Sequence, residues 1–80
     1  MNSGLFEVYN RAKHTMKFPH FELGHNGVAD WVLNIWEQDG IGSGAKETEV
    51  AFVQDCDLDY VLAKGEVLLK EYLIKTYDGY

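Results

Sequence analysis

The densest potential chemistry in the chain lies in Asp55-Cys56-Asp57-Leu58-Asp59, where three carboxylates alternate with other residues and Glu66 follows eleven positions after the first. Oxygen donors at such a spacing are what a hard divalent cation such as calcium takes. A second candidate is Gly40-Ile41-Gly42-Ser43-Gly44-Ala45-Lys46, a glycine-rich run ending in a cation. A phosphate-cradling loop requires Gly where Ala45 stands and Ser or Thr where Glu47 stands, so a flexible connection between strands is the expected role. His14, His20 and His25, spaced by six and five, match no metal-binding pattern. Cys56 is flanked by Asp55 and Asp57, negative charges that disfavour a thiolate nucleophile, and is expected to be a small semi-buried residue near a helix start. Ser3 and Ser43, the two serines, lie in no nucleophile-elbow context. No enzyme signature results, and no cofactor is expected.

With acids at positions one, three, five and twelve and apolar Leu62 at position eight, Asp55–Glu66 resembles the EF-hand calcium loop. The resemblance implies calcium held by Asp55, Asp57, Asp59 and Glu66. Tyr60 replaces the glycine that the family places at the sharp turn. The competing reading makes the same three aspartates the cap and first turn of a helix, where they complement its dipole.

Which reading holds depends on the elements around these residues. Leu58, Val61, Leu62, Gly65, Leu68, Leu69, Tyr72 and Leu73 repeat at helical spacing and predict a long helix from about Asp57 to Lys75. Asp55 or Asp57 would cap it, and Glu66/Lys70 and Glu71/Lys75 would support it. Leu5, Val8, Tyr9, Ala12 and Met16 predict an earlier helix over 4–17, capped by Ser3 and stopped by Pro19. Between the helices, Phe18 to Leu23, Trp31 to Trp36 and Val50 to Val53 read as strands. The first two are joined by a hairpin at Gly24-His25-Asn26-Gly27. The order α-β-β-β-α predicts an α+β domain: a three-stranded antiparallel sheet with both helices on one face. Period-two geometry sends Trp31, Leu33, Ile35, Val50 and Phe52 towards the helices. Val32, Asn34, Trp36, Glu49, Ala51 and Val53 are then left on the open face.

Composition bounds the function. Eighty residues, 46% of them hydrophobic, make one globular domain, and the single cysteine fits a reducing, cytoplasmic setting better than a disulfide-stapled secreted one. Neither a signal peptide nor a membrane span is expected from the sequence. Seven Lys and Arg against thirteen Asp and Glu give a net charge of −6, which disfavours direct contact with nucleic acid and favours a basic protein surface. From Glu47 to Asp59 the acids Glu47, Glu49, Asp55, Asp57 and Asp59 occur without a Lys or Arg.

The α-β-β-β-α order resembles that of double-stranded RNA-binding domains, whose second helix opens with basic residues. Here Asp55, Asp57 and Asp59 stand at that place, so the resemblance implies a surface resembling phosphates and not one that binds them. In size, charge and layout the chain is also similar to small phage-encoded inhibitors of bacterial defence nucleases, the anti-CRISPR proteins among them. That similarity implies a non-enzymatic inhibitor or regulator of a basic, nucleic-acid-handling protein such as a nuclease. The expected contact residues are Trp36, Glu47, Glu49, Asp55, Asp57 and Asp59, because exposed Trp is enriched at binding hot spots and carboxylate rows meet Lys/Arg grooves. The alternatives are a homodimer buried through Val32, Trp36 and Val53, and the calcium reading of Asp55–Glu66.

Overall fold

A computed structural model describes residues 4–79. Ser3, expected to cap the first helix, and Tyr80 lie outside the described residues. The elements follow in the expected order: α1 (Gly4–Ala12), β1 (His20–His25), β2 (Trp31–Gln38), β3 (Glu47–Asp55) and α2 (Leu58–Tyr77). The strands pair antiparallel in the order β1-β2-β3, with both helices packed on one face.

The periodic apolar positions become the core. Leu5, Val8, Ala12 and Met16 from the first helical pattern meet Val61, Leu62, Leu69 and Leu73 of α2 over Leu33 and Ile35 of β2. Burying each of the largest aliphatic side chains contributes about 1.5–3 kcal/mol, which a chain this short needs. Gly65 sets the depth of the packing. A Cβ there would collide with the Leu33 side chain and approach Leu5 Cδ2 to 3.4 Å, so the missing side chain lets α2 settle onto both leucines.

α1 ends at Ala12, short of the expected residue 17. Thr15 N–H and Met16 N–H both donate to Ala12 O, which tightens the last turn. Beyond it, Lys17 is tied to β2: its N–H donates to Glu37 Oε1 at 2.8 Å and its carbonyl accepts from Gln38 N–H at 3.0 Å. That anchor draws the chain away from the helix axis while Met16 stays buried. Phe18 then takes a left-handed φ of 43° ahead of Pro19.

The first hairpin forms in the expected place with a longer loop than the Asn-Gly pair suggests. Asn26 Oδ1 accepts from Val28 N–H and Asp30 N–H, and Asn26 N–H donates to Asp30 O. Gly27 supplies the positive φ of 86° inside this loop. The glycine-rich run joins β2 to β3 as expected: Asp39 N–H donates to Lys46 O at 3.0 Å, and Lys46 N–H returns a bond to Asp39 Oδ1 at 2.8 Å.

One register feature corrects the facing of β3. Ile35 lies opposite Ala51 whereas Trp36 lies opposite Glu49, so Val50 is an extra residue in a bulge. Val50 and Ala51 are both buried, and the alternation beyond them is reversed. Phe52, expected to face the helices, is instead turned out and 48% exposed; Ala51 and Val53, expected on the open face, are in the core. Trp31, Leu33, Ile35 and Val50 face inward and Val32, Asn34, Trp36 and Glu49 outward, as alternation requires.

Candidate functional site

The face of the sheet opposite the helices carries His20, Glu22 and Gly24 from β1, Val32, Asn34, Trp36 and Gln38 from β2, and Glu47, Glu49, Phe52 and Gln54 from β3. None of the three strands contains a Lys or Arg. Trp36 forms the centre of one half. Its ring stacks on His20, centroids 4.9 Å apart and planes within 8°, because the two residues are cross-strand partners. A polar row fixes the same end: His20 Nε2 lies 2.9 Å from Gln38 Oε1, and Gln38 Nε2 donates to Glu47 Oε2 at 3.2 Å.

Asn34, Trp36, Glu47 and Glu49 together line a depression of about 280 Å³. Trp36 Nε1 is buried without a hydrogen-bond partner. Beside it, a larger open depression of about 640 Å³ runs across Glu22, Gly24, Val32, Asn34 and Phe52. The chemistry available there is apolar contact, aromatic stacking and attraction of cations.

The expected contact residues divide into two groups. Trp36, Glu47 and Glu49 come together at one end of the open face. Asp55 ends β3, about 26 Å from Glu47 at a strand rise of about 3.3 Å per residue, with Asp57 and Asp59 following at the start of α2, and two of these carboxylates are occupied. Asp57 caps α2, its Oδ1 accepting from Asp59 N–H at 3.0 Å and Tyr60 N–H at 3.3 Å, and Asp55 Oδ1 accepts from Asp57 N–H at 2.9 Å. The thirteen-residue anionic stretch is therefore not one surface.

The same cap corrects the calcium reading. From Leu58 onward the segment is helix, so Asp59 and Glu66 lie on α2 and no twelve-residue loop exists. Among the described residues, no group of three or more His, Cys, Asp or Glu is placed to hold a metal ion. Cys56 is exposed, not semi-buried. Nor do Val32, Trp36 and Val53 share one surface, because the bulge turns Val53 into the core; Phe52 takes its place outside.

A second polar site was missed by sequence reasoning. Glu37, only 5% exposed, points inward from the end of β2. Tyr72 Oη donates to its Oε2, while Tyr77 Oη at 2.7 Å and Lys17 N–H at 2.8 Å donate to its Oε1. Burial acts to raise the Glu37 pKa, but these three donors and the Lys17 charge outweigh it and hold the carboxyl below its ordinary value. Burial, and then the bond to Glu37, push Tyr77 up to about 12 and Tyr72 higher still. A carboxylate with its acceptor sites engaged and two phenols kept neutral form a latch on the end of α2, not an acid–base pair. The available signal was strand alternation: Trp31, Leu33 and Ile35 face inward, so Glu37 must as well, and a buried carboxylate demands donors.

Among the described residues, no helix is long and apolar enough to cross a membrane. Comparison with known protein families, curated proteins and solved structures finds no match for this chain.

Proposed function

We propose that this chain is a non-enzymatic binding module that docks a basic protein surface onto the open face of its sheet, and that it acts as an inhibitor or regulator of a nucleic-acid-handling partner. The observation that carries this reading is the composition of that face: an indole stacked on His20 with Glu47 and Glu49 beside it, Phe52 exposed on the neighbouring strand, and no Lys or Arg on any strand. An aromatic anchor surrounded by carboxylates suits Lys or Arg side chains, whose stems pack on the ring while their charged ends reach the acids. The contact set is Trp36, Phe52, Glu22, Glu47 and Glu49. Asp55 and Asp57 serve the helix cap instead.

The reading is tested by affinity capture from the native host's lysate at low and high salt. The baits are the wild-type chain, a Glu47→Lys/Glu49→Lys variant and an Asp59→Lys control. The wild type and the control should retain the same basic protein at low salt and release it at high salt, while the double variant retains none. Equal capture by the double variant, or capture indifferent to salt, would reject the proposal.

A further inference from the structure

The face of α2 directed away from the sheet carries a second, separate apolar feature. Tyr60, Val67 and Ile74, seven residues apart, are 49%, 47% and 55% exposed and form one stripe along the helix. The stripe extends for about 21 Å at 1.5 Å per residue. Its flanks differ in charge from the rest of the molecule. α2 holds Lys64, Lys70 and Lys75 against Asp59, Glu66 and Glu71, so a chain of net charge −6 has a helix whose own charges cancel. The charges of this helix therefore add no net like-charge repulsion to a contact between two copies.

The charges are also arranged for self-pairing. Lys64 and Glu71 lie on the same side of the stripe, about 4.5 and 6 Å either side of Val67 along the axis. When a second α2 is laid antiparallel about a two-fold axis at Val67, Tyr60 meets Ile74 of the second copy, Val67 meets Val67, and Lys64 faces Glu71 twice over. On the other flank Glu66 lies about 100° round the helix from Val67 and is paired internally with Lys70 at 2.8 Å. A parallel arrangement would instead set Lys64 and Glu71 against Glu66 and Lys70 of the second copy, which are already paired with each other. An isologous contact requires this kind of self-complementarity.

We infer that two copies of this chain associate through an antiparallel α2–α2 contact centred on Val67, leaving both open sheet faces free. The contact is independent of the partner-binding reading above. A single helix pair of this length is at the small end of specific interfaces, so the equilibrium lies in a weak range.

Sedimentation equilibrium on the intact chain, from about 5 μM to about 1 mM, should show monomer at the low end and dimer at the high end. Val67→Glu should remain monomeric throughout, with an unchanged circular dichroism spectrum. Lys64→Glu and Glu71→Lys should each lose the dimer, and the Lys64→Glu/Glu71→Lys swap should restore it, while Trp36→Ala should dimerise as the wild type does. A monomer at the highest concentration, a dimer that survives Val67→Glu, failure of the swap to restore it, or loss in Trp36→Ala would each overturn the inference.

Discussion

Glu37 shows what a single buried carboxylate does in a domain this small. Its three donors come from α2 and from the turn after α1, so one side chain ties both helical segments to the end of β2. Glu37→Ala leaves two phenols and a backbone N–H without their acceptor and should cost about 3 kcal/mol in urea unfolding, with Glu37→Gln costing less. The pH dependence follows from the direction of each shift. The Glu37 carboxyl is held below 4.5, so its stabilisation is complete above that value and is lost as pH falls through the folded pKa. Tyr77 is raised from 10.0 to about 12, so its contribution is complete below 10.0 and is lost as pH rises towards 12. Glu37→Gln should flatten the acid limb of the stability curve; an unchanged acid limb would contradict the latch. Trp36 carries the opposite kind of polar atom, a buried Nε1–H without a partner. Trp36→Phe removes that cost, so thermal unfolding should change by less than about 1 kcal/mol even as partner binding falls.

At the scale of elements, α2 and β2 were legible because their patterns are long and undisturbed. The Leu58-to-Leu73 periodicity and the Trp31-to-Trp36 run place the helix and the central strand to within about two residues at each end, and of the two cap candidates, Asp55 and Asp57, the structure uses Asp57. β3 was only half legible. One extra residue at Val50 reverses the phase of everything after it, and a bulge leaves no composition signal in Val-Ala-Phe-Val. The site inherits that error directly: Phe52 belongs to the open face and Val53 does not. α1 was overextended because Met16 keeps the helical spacing after the helix has ended, its burial maintained by the Lys17 anchor. Gly65 gives the sharpest test of how the elements pack. Gly65→Ala improves intrinsic helix propensity by about 1 kcal/mol yet pushes a methyl group into Leu33, and the overpacking should win by about 1–2 kcal/mol in denaturant unfolding. A stabilised Gly65→Ala would mean that α2 does not lie against Leu33 as closely as described.

At the scale of the molecule, the arrangement separates two surfaces. Both helices cover one side of the sheet, and the other side is left to carry an aromatic and acidic face. The net charge of −6 was plain in the sequence, but its distribution was not. Residues adjacent along an extended strand are distant in space, so Glu47 and Asp55 end up at opposite ends of β3. What the open face gathers is smaller than the continuous acidic row and more aromatic, with Trp36 in place of Asp57 as its defining residue. Backbone and indole resonance mapping of the ¹⁵N-labelled chain, titrated with the basic protein it captures, addresses this directly. The Trp36 Nε1–H and the amides of 20–24, 32–36 and 49–54 should shift at the lowest additions of partner, with Tyr60, Val67 and Ile74 unmoved. Shifts confined to 55–59 or to the outer side of α2, with the Trp36 indole unaffected, would contradict the assignment of the open face as the binding site.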